Sequence, residues 1–160
     1  MFMRVGFGYD VHKFAKGRKF ILGGVEIKHS KGLQGHSDAD VLLHSICDAL
    51  LGAAGLNDIG YYFPNTDKKW KDVSSLILLK EVSILIKKHN LKIENLDSTI
   101  LLEEPKISRY IDRMKKNISS VLKIQIASIS IKSTTSEGIG FIGKKLGCSA
   151  YTICSLTQIK

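Results

Sequence analysis

The sequence predicts an α/β chain of the α+β type: a mixed sheet with helices packed on one face, plus a β-hairpin near the N-terminus. Apolar and polar residues alternate along residues 3–11 and again in "NLDSTILLE", "IASISIKS" and "CSAYTICSL", the period of strands. Three intervening stretches instead space their apolar residues as helices do. No linker or low-complexity segment interrupts the pattern, so residues 1–160 read as one domain, a length that buries roughly 70% of its unfolded surface.

In the first strand, Met3 to Val11, residues Val5, Phe7 and Tyr9 share one face. "KFILGGVEIKH" holds two short β-rich runs around Gly23 and Gly24, the pattern of a hairpin. The first helix is expected over "SDADVLLHSICDALLGAAG", with Ser37 as N-cap, Asp40 three residues on, and a stop near Gly55. Leu43, Ile46, Cys47, Leu50 and Leu51 form its apolar face. Asp72 is expected to cap a second helix ending near His89. Pro105 suits the first turn of a third, whose stripe is Ile107, Tyr110, Ile111, Met114 and Ile118.

Composition narrows the class of function. With 44% hydrophobic residues, 24% charged and 2 prolines, the chain is neither disordered nor membrane-like. Lys80 and Glu81 break its longest apolar run, and "MFMRVGFGYD" lacks the marks of a signal peptide. The expected location is the cytoplasm, or the stroma of a plastid-like organelle after processing, with no membrane partner. Cys47, Cys148 and Cys154 are odd in number without CxxC spacing, so they read as small buried hydrophobes. The formal charge of +9 suits a polyanionic partner, nucleic acid or a phosphorylated small molecule, without choosing between them.

The chemistry begins at "GYDVH". Strand residues two apart point the same way, so Asp10 and His12 project together from the end of the first strand. In the following helix Asp40, His44 and Asp48 recur every four residues, which makes His44 a third ligand candidate. Aspartate and two histidines suit zinc or a similar divalent ion with one position left open. Spacing alone leaves a competing reading, a packed or surface histidine beside an unrelated DxH pair.

"GYDVH", "LGGVEI", "KGLQGHSDADVLLHSICDALLGAAGLNDIGYYFPNTD", "EEPKI" and "STTSEGIGF" occur in one order from about Arg4 to Gly147. Together they resemble the 2-C-methyl-D-erythritol 2,4-cyclodiphosphate synthases of the non-mevalonate isoprenoid pathway. The resemblance implies a homotrimer with active sites between neighbouring subunits. It also implies a reaction that converts 4-diphosphocytidyl-2-C-methyl-D-erythritol 2-phosphate to the cyclic diphosphate and CMP. By position, Asp10, His12 and His44 match zinc ligands, and Glu137 matches the residue for a second ion, magnesium or manganese, at the diphosphate. His36 and Ser37 match the loop at the methylerythritol phosphate end. Asp58, Ile59 and Gly60 match contacts to the erythritol, with Phe63 and Asp67 following in the lid region. Pro105, Lys106 and Ile107 match the cytidine loop, and Ser133, Thr134 and Thr135 lie beside the nucleotide phosphates. Phe141 and Lys144 complete the substrate set, and Thr135 and Glu137 join the catalytic one.

The residues suit such chemistry on their own terms. A phosphate oxygen is already anionic near neutral pH, so the protein needs to hold two anions together and neutralise the leaving group. Glycines 138 and 140 permit a tight backbone cradle. Asp40 and Asp48 are expected to orient a histidine, whereas Asp38 reads as helix capping or a solvated charge. Trp70 and the run Tyr61 to Phe63 read as either a lid or turn packing, His29 and His89 as surface histidines, and Lys132 as either electrostatic support or the polar side of a strand. Three positions depart from the family. Lys144 keeps the charge of a usual arginine without its fork, and Leu146 replaces an acidic neighbour, so isoprenoid diphosphate binding in the trimer's central cavity is not carried over. Asn65 stands where "FPDTD" has aspartate. Two other classes compete: a metal-dependent phosphodiesterase that activates water, and a basic nucleic-acid-binding module, which would need basic and aromatic residues interleaved on an open sheet.

Overall fold

A computed structural model describes residues 3–159. The first strand, β1 (Met3–Ala15), leads into a small hairpin of β2 (Phe20–Leu22) and β3 (Val25–Ile27), then β4 (Gly32–Leu33) and helix α1 (Val41–Ala54). A short helix α2 (Ile59–Tyr62) and a longer α3 (Ser75–Lys88) precede β5 (Leu91–Leu101). Helix α4 (Ile111–Leu122), β6 (Ile129–Thr134), one turn of helix α5 (Gly140–Gly143) and β7 (Gly147–Gln158) complete the chain.

The main sheet is mixed, in the order β4-β1-β7-β5-β6. Only β5 and β6 run parallel, and α4 lies in the crossover between them. The helices cover one face, as expected. Helix α1 packs against β1 and β7 on one side and α3 on the other, and α3 packs on α4. Held between two layers, α1 is buried almost all round; His44, Asp48 and Gly52, four residues apart, form its one strip that is not. That corrects the simple amphipathic face expected for it.

Close approach of β1 to α1 depends on two glycines. A Cβ added at Gly6 would sit 1.9 Å from the Ala49 carbonyl oxygen, and one at Gly8 would sit 2.0 Å from that of Ser45. The expected strand face of Val5, Phe7 and Tyr9 therefore points away from the helices, exposed at 61%, 61% and 41%. The period was right, but the apolar side is the uncovered one. Between α1 and the sheet, buried hydroxyls satisfy one another: Ser45 and Ser98 each lie 2.8 Å from Thr152, and Ser45 donates to the Leu42 carbonyl.

Several helix boundaries differ from expectation. Asp40, not Ser37, caps α1, with its carboxylate accepting from the Leu43 N–H at 3.1 Å. Gly55 ends the helix in the left-handed conformation at φ 73°, as expected. Ser74, not Asp72, caps α3, while Asp72 turns the chain before it at φ 56°. Pro105 follows a cis peptide bond and precedes a 3-10 turn at Ser108–Tyr110, so α4 starts at Ile111 and Pro105 lies outside it. The first strand also runs past Val11 to Ala15, which places Asp10 and His12 inside it and not at its end. Among the described residues no helix is long and apolar enough to cross a membrane.

Candidate active site

Strand β1 and helix α1 bring three donors together. Asp10 Oδ2 lies 2.9 Å from His12 Nε2 and 2.9 Å from His44 Nδ1, and the two nitrogens are 3.2 Å apart. The strand supplies two of them because residues two apart share its helix-facing side, and the glycine contacts bring α1 near enough for His44 to complete the set.

Hydrogen bonds fix which atoms face inward. His12 Nδ1 donates to the Gln34 carbonyl at 2.7 Å, which leaves the Nε2 lone pair for the site. Burial alone would raise the Asp10 pKa, but hydrogen bonds and charge from His12 and His44 override it and hold the carboxylate well below its usual range. Burial pulls the His12 pKa down, and Asp10 pulls it up further, for a net rise.

The donors fit a divalent cation. A tetrahedral zinc with bonds of 2.0–2.1 Å would separate its ligands by about 3.3 Å, close to the 2.9–3.2 Å found here. Two nitrogen lone pairs facing each other at 3.2 Å repel unless a proton or cation lies between them. Because the pKa of His12 is raised from 6.5, a proton competes there at higher pH than on a free imidazole. Zinc affinity is thus expected to fall on acidification, starting above pH 6.5, in a competition titration between about pH 8 and about pH 5. An affinity that stays flat across that range would count against His12 as a ligand.

These donors line a cleft of about 230 Å³ with His36, Ser37, Ile59, Gly60, Phe63, Asn65 and Trp70. Trp70 packs edge-on against Phe63 at 4.9 Å between ring centroids, the turn packing expected of it, and also lines the cleft. Asp58 and Asp67 cap short turns, accepting from the N–H groups of Tyr61 and Lys69, and neither lines the cleft.

A second cavity of about 220 Å³ gathers Pro105, Lys106, Ile107, Ser133, Thr134 and Thr135. Beside it the Glu137 carboxylate accepts from the Thr135 hydroxyl at 2.7 Å, on an exposed loop with Gly138 and Gly140 at φ 78° and 69°. Glu103 anchors that loop, accepting from the Ser136 N–H and hydroxyl and from the Gly138 N–H. Sequence reasoning missed Glu103, although it stands in the quoted "EEPKI". Phe141 and Lys144 are exposed and line neither cavity.

Other residues resolve more simply. Neither Asp40 nor Asp48 touches a histidine: Asp40 also accepts from the Gly24 N–H, pinning the hairpin to α1, and Asp48 accepts from the Ile59 N–H. It is Asp38 that reaches one, through Ser75. Lys132 pairs with Asp97 on the open sheet face. His29 packs between Phe14 and Phe20, His89 is exposed, and all three cysteines are buried. A larger cavity of about 390 Å³, bordered by Lys87, Lys92 and Lys123, holds no comparable convergence of donors.

An aspartate and two histidines converging on a cleft, on a mixed sheet covered on one face, make this an α+β fold with a group that could hold a metal ion. The chain belongs to the YgbB family, whose sequence profile matches residues 3–157. It is 60% identical to the 2-C-methyl-D-erythritol 2,4-cyclodiphosphate synthase of Clostridium acetobutylicum, over 96% of this chain and 99% of that one. Among solved structures, it superposes on the bifunctional IspDF of Campylobacter jejuni with a TM-score of 0.96 at 38% identity, covering 99% of this chain and 43% of that one. It also matches a CDP complex of IspF from Plasmodium falciparum, with a TM-score of 0.86 at 37% identity over 99% and 97% of the two chains.

Proposed function

We infer that the protein is a phosphorus-oxygen lyase that closes 4-diphosphocytidyl-2-C-methyl-D-erythritol 2-phosphate into 2-C-methyl-D-erythritol 2,4-cyclodiphosphate and releases CMP. The observation that carries this reading is the convergence of Asp10, His12 and His44 on a cleft small enough for a methylerythritol phosphate. An oxygen of the 2-phosphate attacks the phosphorus nearer the erythritol. One P–O bond forms, the bond to the bridging oxygen breaks, and CMP takes up the electron pair. No water enters the balance, which separates this reaction from a phosphodiesterase.

The chain's own groups prepare that step. His36 and Ser37 hold the 2-phosphate end, Ile59, Gly60 and Phe63 wall the cleft, and the hydroxyls of Ser133, Thr134 and Thr135 receive the nucleotide phosphates. Pro105, Lys106 and Ile107 take the cytosine side, while Asp58 and Asp67 hold the turns that border the cleft. Divalent cations, zinc at Asp10, His12 and His44 and magnesium or manganese at Glu137, supply charge neutralisation and polarise phosphoryl oxygens when bound.

Two features support association of subunits, in the homotrimer that the family resemblance implies. Thr134 lies three strands across the sheet from His12, roughly 14 Å at the usual inter-strand spacing, too far for one chain to grip both ends of a diphosphate. Pairing one subunit's metal cleft with its neighbour's nucleotide cavity closes the gap. The open sheet face, with Val5, Phe7, Tyr9, Tyr151 and Ile153 exposed, supplies the apolar surface for such packing. A Phe7→Lys chain is expected to sediment as a monomer and lose CMP release in step; a fully active monomer would overturn the shared-site reading.

Phosphorus NMR tests the reaction itself. With substrate and magnesium, two coupled signals of a cyclic diphosphate and one CMP per turnover are expected. CMP with a linear product would mark a phosphodiesterase instead.

A further inference from the structure

We propose that Asp38 and Ser75 form a positioning relay that sets the proton of His44 and holds its ring toward the metal site, an inference that rests on the metal reading above. His44 has two faces. Its Nδ1 points at Asp10 Oδ2, and its Nε2 points the opposite way, 2.9 Å from Ser75 Oγ and 3.1 Å from Ser37 Oγ. Ser75 is fully buried at the start of α3. Its hydroxyl donates to Asp38 Oδ1 at 2.5 Å, while its backbone N–H donates to Asp38 Oδ2 at 3.0 Å.

Hydrogen-bond directions follow from that arrangement. A carboxylate only accepts, so the one hydroxyl proton of Ser75 is committed to Asp38, and its lone pairs face His44. His44 Nε2 must then donate, which strips Nδ1 of its proton and aims a lone pair where Asp10 and His12 converge. Because Asp38 lies just before α1 and Ser75 opens α3, the relay ties the ring to two elements and blocks its rotation. Ser37 is the weaker partner: its hydroxyl is longer by 0.2 Å and already accepts the Ala39 N–H.

The test compares zinc affinity of the full chain, Ser75→Ala, Asp38→Asn and Ser75→Thr by competition with a chromophoric chelator. Ser74→Ala serves as a control, since it removes the α3 cap without reaching His44. Loss of a group that orients a metal ligand typically weakens binding about 10–100-fold. That loss is expected for Ser75→Ala and a smaller one for Asp38→Asn, with Ser75→Thr near wild type and Ser74→Ala lowering only the melting temperature. Proton NMR of the zinc-loaded protein should show a slowly exchanging, downfield His44 Nε2 proton that Ser75→Ala loses. Zinc affinities of Ser75→Ala and Asp38→Asn within about threefold of wild type, or an Nε2 proton that exchanges equally fast in all chains, would overturn the relay. Should Ser75→Ala fail to fold, Asp38→Asn decides the matter alone. A wild-type chain that binds no zinc would instead sink the metal reading.

Discussion

Replacing Asp10 with alanine is expected to lower CMP release by about a thousandfold or more, since a phosphoryl clamp worth several kcal/mol corresponds to about that factor. The change removes the only anionic donor of the three and the one atom within 2.9 Å of both imidazoles. Without it a cation loses its charge partner, and each histidine loses the contact that fixes its distance from the other. The fold should survive, because β1 is held by its backbone ladder to β7 and by the apolar packing of α1, neither of which uses the carboxylate. Metal analysis and steady-state turnover on the same sample check both halves. Full turnover in a metal-depleted Asp10→Ala chain would show that the three donors take no part in the reaction.

Gly8→Val is expected to destabilise the protein by at least about 3 kcal/mol, in the range of overpacked core positions with no room to relax. The new Cβ would meet the Ser45 carbonyl oxygen at 2.0 Å and the Ala49 N at 2.6 Å, both backbone atoms of a helix wedged between the sheet and α3. No side-chain rotation can relieve such a contact; α1 would have to retreat from β1, taking His44 with it. Thermal denaturation should show a drop of roughly 6–12 °C for a domain of this size. Zinc affinity should fall too, even in whatever fraction remains folded. A Gly8→Val chain with unchanged melting would mean that α1 does not sit against β1 as described.

Much of this architecture was legible because period and chemistry agreed. Alternation marked β1, β5, β6 and β7 of the main sheet but not the two-residue β4, and the spacing of Asp10 and His12 placed both on one side of β1 whatever its length. What sequence could not resolve was which face of β1 is covered. Alternation treats Val5, Phe7 and Tyr9 as the natural core side, yet the helix lies against Gly6 and Gly8, whose lack of side chain carries no hydrophobic signal. Helix starts were misplaced for a related reason. Ser37, Asp38 and Asp40 are all competent caps, and only the folded chain shows that Asp40 takes α1 while Asp38 reaches across to α3. Glu103 was invisible because its partners are backbone N–H groups more than thirty residues away. The resemblance supplied the candidate substrate residues; most of them fall into two separate cavities, whereas Asp58, Asp67, Phe141 and Lys144 line neither.

The alternation of β1 has a consequence for how this protein can change over time. Even-numbered positions from Gly6 to His12 serve the helix and the metal site, while the odd-numbered side chains between them form the open apolar surface. Deleting a single residue near Tyr9 would exchange the two roles downstream of the cut. Both sides of the strand are thus constrained, each for its own reason, and so is its length, so lineages are expected to vary the loops after Ala15 long before they vary the spacing within "GFGYDVH".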